Sequence, residues 1–446
     1  MSDGKHYRDH LEILDRSLGE ALEHAGRQGL ALDGVLFHSG RQATYHRDDE
    51  LICFRSTPHF RRWVPLEGPE HVVLARPGRK PLVVRVRPTD YWYDTSLPPE
   101  SYWERHVDLV EVQTFDQVTG VTGPLERIAY AGSSPEAAAE ADIPPELIEP
   151  DALMAPLDWL RAYKTEHEIA AIRAAAESAA AGHQKAREVF LAGGTEREVH
   201  WAYLQAADRM EFDMPYGNIV AFDHKGAILH YQGKRGAEAA PGQVLLLDAG
   251  SVYEGYAADI TRTWAQPDVH PVFLELLRGV DALERDLVAM VTSARPYLEI
   301  HVEAHHAVAR LLAATGVVTT SAEEAFERGV TQTFLPHGVG HQMGLQVHDV
   351  GGHQAGPEGG TVPPPEAYPF LRCTRILEPG HVVTIEPGIY FTPTLLDPLR
   401  DGDNRDAVNW QLVEQLIPLG GIRIEDDIVC REGGPQDLTR DLIAGP

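Results

Sequence analysis

The run Val244-Leu245-Leu246-Leu247-Asp248-Ala249-Gly250-Ser251-Val252-Tyr253-Glu254-Gly255-Tyr256-Ala257-Ala258-Asp259-Ile260-Thr261-Arg262-Thr263 consists of two apolar arms around a Glu-Gly turn, with one aspartate embedded in each arm. With Glu254-Gly255 as a two-residue hairpin loop, Asp259 faces Gly250, and Asp248 shares a face with Gly250 by the strand period of two. Both carboxylates then project from one face as diagonal neighbours. A register slip of two residues keeps that arrangement, whereas a one-residue bulge breaks it. Two like charges in an apolar frame are costly unless protons or cations neutralise them, and a metal ion is the obvious neutraliser. The plainer alternative is a solvated pair answered by Arg262.

Three later stretches repeat the pattern of polar residues set in strand-like apolar sequence. In Pro336-His337-Gly338-Val339-Gly340-His341-Gln342-Met343-Gly344-Leu345-Gln346-Val347-His348-Asp349, the glycines permit close packing or sharp turns, so that several imidazoles can converge. Val382-Val383-Thr384-Ile385-Glu386-Pro387-Gly388-Ile389-Tyr390 is a β-branched strand ending in a carboxylate and a Pro-Gly turn. In Gly421-Ile422-Arg423-Ile424-Glu425-Asp426-Asp427-Ile428-Val429, alternation places Arg423, Glu425 and Asp427 on one face, where Glu425 has the option of pairing with Arg423. Asp248, Asp259, Glu386, Glu425 and one histidine together balance two divalent cations in formal charge. Oxygen-rich donors with a single imidazole suit Mn²⁺ or another borderline-hard ion. Two such ions about 3.5–4 Å apart would share a water, lower its pKa and stabilise a developing oxyanion, so the expected chemistry is hydrolysis.

The rest of the chain sets the frame. Its 446 residues are enough for two domains or more, and 43% hydrophobic with 24% charged residues is ordinary for a globular protein. A formal net charge of -28 argues against nucleic acid or an anionic membrane as the main partner. The opening residues lack the apolar core of a signal peptide, no apolar run is long enough to span a bilayer, and Cys53, Cys373 and Cys430 form no CxxC, so the expected compartment is the cytoplasm.

An amphipathic helix over Leu11, Leu14, Leu18 and Leu22 leads to a strand at Gly34-Val35-Leu36-Phe37-His38. A hairpin over residues 72–76 and 82–86 follows, then strands at 109–112 and 127–130, giving an α/β N-terminal domain over residues 1–156. Tyr91-Trp92-Tyr93, ahead of a proline-rich loop, is expected to pack in the ordinary way, with a contact surface as the alternative. Thr165-Glu166-His167-Glu168 fits a capping box opening a long alanine-rich helix that ends at Gly193-Gly194, and Thr195-Glu196-Arg197-Glu198 caps the next. A second domain is expected over residues 157–446, with strands and loops after Asn218 and helices near 271–292 and 300–314.

With these motifs the chain resembles the pita-bread metallopeptidases, in particular the Xaa-Pro dipeptidase (prolidase) branch that includes bacterial organophosphorus acid anhydrolases. The likeness rests on Asp-x10-Asp, His-Gly-x-Gly-His-x2-Gly-x3-His-Asp, Glu-Pro-Gly and Arg-Ile-Glu-Asp-Asp in order, and extends over nearly the whole length. It implies an α/β (α+β) N-terminal domain, a C-terminal pita-bread catalytic domain and a homodimer. By the same resemblance Asp248 chelates one metal, Asp259 and Glu425 bridge both, and His341 with Glu386 complete the other. The metals implied are two divalent ions, Mn²⁺ foremost, with Co²⁺ or Zn²⁺ as alternatives. His230 matches a further active-site histidine, His337 and His348 flank the substrate, and Arg423 stands near the pocket. Arg372 is similar to an arginine holding a dipeptide's terminal carboxylate. Tyr216, Tyr297, Val347 and Leu371 match pocket-lining positions, and Glu386 the proton shuttle.

The implied reaction releases C-terminal proline from Xaa-Pro dipeptides, with organophosphate triesters as a side substrate. Its rivals are an aminopeptidase P acting on longer peptides and a non-catalytic pita-bread binding protein. One departure is Asp48-Asp49-Glu50-Leu51-Ile52-Cys53-Phe54, where Leu-Ile-Cys replaces a Tyr-Pro-like run in a segment that the resemblance sends toward a partner subunit.

Overall fold

The computed structural model describes residues 4–93, 101–236, 241–443 and 445. The proline-rich loop after Tyr93 lies outside the described residues. Two compact units emerge, one of residues 1–171 with 354–361, the other of residues 172–353 with 362–446. The division falls inside helix Glu166–Leu191, later than the expected boundary at 156/157, which lies inside helix Asp151–Arg161.

In the first unit, β1 (Gly34–His38), β2 (Val72–Ala75), β3 (Leu82–Val86), β4 (Asp108–Val112) and β5 (Ile128–Ala131) form one sheet in the order β4-β3-β2-β1-β5. β1 pairs parallel with β5, and β3 with β4, while the β1–β2 and β2–β3 pairs are antiparallel. Helix Gly4–Arg27 buries Leu11, Leu14, Leu18 and Leu22 in a cluster with Val35, Phe37 and Leu153. A short hairpin, Gln354–Gly356 with Gly359–Thr361, belongs to this unit, held by a hydrogen bond from Gln354 to the Ala155 carbonyl. Tyr91, Trp92 and Tyr93 are 86%, 76% and 57% exposed, so they are a surface cluster and not packed as expected. The Asp48–Phe54 segment is mostly exposed, with one bridge between Thr44 and Leu51.

In the second unit, β6 (Ile219–Phe222), β7 (Val244–Asp248) and β10 (Thr261–Ala265) form a sheet in the order β10-β7-β6. Between β7 and β10 the chain makes the tip hairpin β8 (Ser251–Tyr253) and β9 (Tyr256–Ala258). Thr261 opposes Asp248 and Tyr253 opposes Tyr256, so the expected register runs unbroken through the tip and the base. Glu254 and Gly255 both have positive φ, 49° and 90°, as a type I′ turn requires. β7 is paired on both sides, and all five of its residues are buried. Each aliphatic side chain so buried contributes about 1.5–3 kcal/mol, which fixes the strand that ends in Asp248.

The capping boxes form as expected. Thr165 Oγ1 accepts from the Glu168 amide, and Glu168 accepts from the Thr165 amide at 2.9 Å; Thr195 and Glu198 do the same ahead of helix Glu196–Ala207. Helices Pro271–Val288 and Tyr297–Ala314 supply much of the larger core. The 337–349 stretch is not a strand: it is a loop with one bridge, Gln342 to Val383. Nor is 421–429 one strand, since Gly421–Arg423 and Asp426–Val429 join different sheets.

Candidate metal centre

A cavity of about 370 Å³ in the second unit is lined by Asp248, Asp259, Glu386, Glu425, His341, His337, His348, His230, Arg372 and Arg423, with Leu229, Phe370 and Leu395 among its apolar walls. The four stretches read from the sequence therefore meet at one point. The hairpin brings Asp248 and Asp259. Glu386 follows the strand Val382–Ile385, whose Thr384 amide donates to the His341 carbonyl at 2.9 Å, while the Glu386 amide donates to the Val339 carbonyl at 2.8 Å. Gly340 makes this approach feasible: its φ is 151°, and a Cβ there would stand 2.1 Å from the Thr384 oxygen. Glu425 sits in the gap between two strands and bonds through its amide to the Thr261 carbonyl.

Asp259 Oδ2 lies 3.6 Å, and Glu386 Oε1 3.7 Å, from His341 Nε2. Asp259, His341 and Glu425 are all buried, with ligand atoms within 4.8 Å of one another. Asp259 Oδ1 accepts from the Tyr216 hydroxyl at 2.5 Å, and Glu425 Oε2 from the Thr261 hydroxyl at 2.6 Å. Asp248 Oδ2 accepts from Arg423 at 2.5 Å, and its Oδ1 is buried without a hydrogen bond of ordinary geometry among the described residues. His341 Nδ1 lies 3.0 Å from the Gln342 carbonyl. Facing an acceptor, that nitrogen must carry the proton, which turns the Nε2 lone pair toward the carboxylates, the form a metal-binding imidazole takes.

The electrostatics agree. Burial pushes the Glu386 carboxyl up to about 7, against the pull of His341 and Arg423. Burial, with Asp259, Glu386 and Asp248 alongside, lifts Glu425 well above the ordinary carboxylate range. Burial also works to raise Asp259, but His341, Tyr216 and His348 together outweigh it and its pKa is lowered. For His341 burial disfavours the imidazolium, yet Asp259 and Glu386 prevail and raise its pKa. Four carboxylates this close cannot all ionise unaided, so the donor set fits divalent cations.

Around these groups runs a hydrogen-bonded rim. His337 Nδ1 lies 2.7 Å from the Gly338 carbonyl and Nε2 lies 2.8 Å from the Tyr390 hydroxyl, which also accepts from Arg423 at 3.0 Å. Burial, then Arg423, brings the His337 pKa down to about 3, so the ring is neutral. Burial and His341 lower His348 to about 4, and its ring stands edge-on to His341 with centroids 4.4 Å apart.

Some expected residues stand elsewhere. Tyr297 is fully buried and donates to the Thr384 carbonyl at 2.8 Å, so it braces the His341 loop instead of lining the cavity. Val347 and Leu371 are also outside the lining, and Tyr216 acts through Asp259. Arg262, the alternative counterion for the aspartates, is buried against Asp426 at 2.7 Å. Glu425 lies 4.0 Å from Arg423, whose close partner is Asp248. Asp427 does not share the cavity face with Arg423 and Glu425, because the strand breaks at Ile424–Glu425; its Oδ2 accepts the Asp259 amide at 3.1 Å. Tyr390, Thr261 and Asp427 went unassigned in the sequence. A hydroxyl or carboxylate inside an apolar strand was the available signal, but it does not name a partner.

Residues 170–432 match metallopeptidase family M24 by its sequence profile, and residues 5–159 match the N-terminal domain of Xaa-Pro dipeptidases. The chain belongs to metallopeptidase family M24. Among M24 relatives, the Xaa-Pro dipeptidase of Cronobacter sakazakii is 39% identical over 441 residues, covering 98% of each chain. That of Xanthomonas campestris is 39% identical over 442 residues, covering 99% of this chain and 98% of its own. The fold is that of the solved aminopeptidase P from Escherichia coli, with a TM-score of 0.72 at 23% identity over 97% of this chain and 96% of that one. An aminopeptidase of Pseudomonas aeruginosa gives 0.71, also at 23% identity with 97% and 96% covered. The expected α/β N-terminal domain and C-terminal pita-bread domain are thus the fold of this M24 chain, and no helix among its described residues is long and apolar enough to cross a membrane.

Proposed function

We infer that the chain is a metal-dependent hydrolase of Xaa-Pro dipeptides that frees the C-terminal proline. The substrate class follows from full-length identity to named Xaa-Pro dipeptidases. The observation that carries the chemistry is the convergence of four buried or half-buried carboxylates and one correctly tautomerised imidazole on a single cavity. In this reading Asp248, Asp259, His341, Glu386 and Glu425 would hold two divalent ions. When bound, such ions supply an acidified water and polarise the scissile carbonyl. Manganese is the metal proposed, from the oxygen-rich donor set with one imidazole.

The protein's own groups do the rest. Glu386 takes the proton released by the attacking water on a carboxylate oxygen and passes it to the prolyl nitrogen. His348 donates to the oxyanion as it develops. His337 has both nitrogens engaged, so it flanks the substrate as a neutral ring and holds Tyr390 toward Arg423. Arg423 neutralises Asp248, and Tyr216 orients Asp259. Arg372, exposed and lining the cavity, would receive the dipeptide's carboxylate, and His230 also lines the cavity. An Xaa-Pro amide has no N–H, so recognition rests on ring shape and that carboxylate contact.

The same activated water would attack phosphorus in organophosphate triesters admitted to the cavity. We further propose a cytoplasmic homodimer, with residues 1–156 as an accessory domain, 157–446 as the catalytic domain, and the Asp48–Phe54 segment reaching the partner's pocket.

The test is hydrolysis of Xaa-Pro dipeptides against Xaa-Pro-Xaa tripeptides by dialysed protein supplemented with Mn²⁺, Co²⁺ or Zn²⁺. Metal-dependent proline release from dipeptides is expected. Preferential cleavage of tripeptides would establish the aminopeptidase P alternative, and a dialysed protein that takes up none of the three metals would remove the hydrolase reading altogether. Asp259→Asn should reduce bound metal to one equivalent or less per chain and abolish turnover.

A further inference from the structure

The cavity wall that carries Leu229 and His230 belongs to an irregular segment after β6, running from a short turn at Asp223–Ala227 to residue 236 without strand or helix beyond that turn. Such a segment has no ladder to hold it, so something else must fix its path. One carboxylate does so. Glu196, the first residue of helix Glu196–Ala207, is fully buried. Its Oε1 accepts from the Phe222 amide at 2.9 Å and from the Lys225 ammonium. Its Oε2 accepts from the Tyr231 hydroxyl at 3.0 Å and from the Arg235 amide at 2.7 Å. The Lys225 ammonium also lies 5.4 Å from the Tyr231 ring centroid, and the Arg197 amide donates to the Arg235 carbonyl.

All four donors come from the two flanks of the Leu229–His230 stretch, and none of the accepting atoms touches the cavity. We propose that Glu196 is a positioning residue for catalysis, whose buried carboxylate closes the 222–235 segment around itself and thereby sets His230 at the cavity wall. The proposal rests on His230 having the active-site role assigned above. Charge is required as well as shape. A glutamine has the same outline but only one acceptor oxygen, so its amide N–H₂ must face either the Phe222 amide and Lys225 or the Tyr231 hydroxyl and Arg235 amide. Donor then meets donor, and Lys225 loses its counterion in a buried place.

The test is a double-mutant cycle on metal-loaded full-length protein, comparing wild type, Glu196→Gln, His230→Ala and the double variant for kcat and KM on one Xaa-Pro dipeptide, with bound metal counted in each. Glu196→Gln is expected to lower kcat/KM by about tenfold to a hundredfold, the scale on which misplaced active-site groups act, with metal content unchanged. In the His230→Ala background the same substitution should cost less than about twofold, because the group it positions has gone. Equal losses in the two backgrounds, or unchanged kcat/KM in Glu196→Gln, would overturn the proposal. Where Glu196→Gln does not fold, Tyr231→Phe removes one of the four donors and enters the same cycle, with a smaller loss and the same two criteria. A wild-type protein without Xaa-Pro dipeptidase activity would instead defeat the functional reading, and a wild type that is active with an additive cycle would defeat only the role of Glu196.

Discussion

At Tyr390 one hydroxyl joins a neutral histidine to buried Arg423, which in turn donates to Asp248. Tyr390→Phe keeps the ring and removes the link. It should cost stability only about 1 kcal/mol, the usual scale for one hydrogen bond, but lower kcat/KM at least about tenfold with metal content preserved, as equilibrium unfolding and dipeptide kinetics would register. A loss of metal in parallel with activity would show that the hydroxyl serves Asp248 and not His337. The carboxylates that converge on the cavity were legible in the sequence because carboxylates in apolar strands are costly and so conspicuous. Their pairings were not. Parity puts Asp248 and Asp259 on one face, yet it could not tell that Arg423, 175 residues away, answers Asp248 while neighbouring Arg262 turns to Asp426.

Among the elements, the β7–β10 hairpin kept its expected register because the Glu-Gly turn and the strand period act over a few residues. The 337–349 stretch reads like a strand but is a loop, in which Gly340 closes on Thr384 and Gly338 on Phe370 and Leu371. Gly340→Ala places a methyl against the Thr384 carbonyl at a φ that side chains avoid. It should destabilise by more than about 2 kcal/mol and displace His341; a thermal scan with and without added Mn²⁺ would show a lower midpoint and a weaker metal-induced rise. Thr195→Ala, which opens the capping box ahead of Glu196, should cost about 1 kcal/mol.

For the molecule as a whole, acid should destabilise the 1–171 unit through its buried histidines and one buried glutamate. Burial brings the pKa of His71 down to about 4 and that of His167 to about 3. Both stay neutral in the folded chain while the unfolded chain takes up protons below about 6.5, so stability is complete above that pH and falls as pH drops toward 3–4. Burial works to raise Glu168, but Arg62 and His10 outweigh it and bring the group to about 2. Its contribution is therefore present above about 4.5 and lost as pH falls toward 2. The two effects have the same sign. Amide exchange in the β1–β5 sheet, corrected for intrinsic rates, should lose protection below pH 6.5 and lose it more steeply below 4.5; constant protection from pH 7 to 4 would refute this. The second unit should respond to chelation, where metal at a hundred times its Kd adds about 2.7 kcal/mol that EDTA would remove.

The sequence by itself determined the two-part α/β architecture, the capped helices, the hairpin register and the residue types that meet at the cavity, because propensity, capping and strand period are local. Back at the Asp248–Asp259 hairpin, only tertiary structure decided the rest: the His341 tautomer, the Tyr390 link, the withdrawal of Tyr297, Val347 and Leu371 from the cavity lining, and the clamp of Glu196 on the His230 segment. Each depends on distances between groups far apart in the chain, and a side chain's face does not fix what stands opposite it.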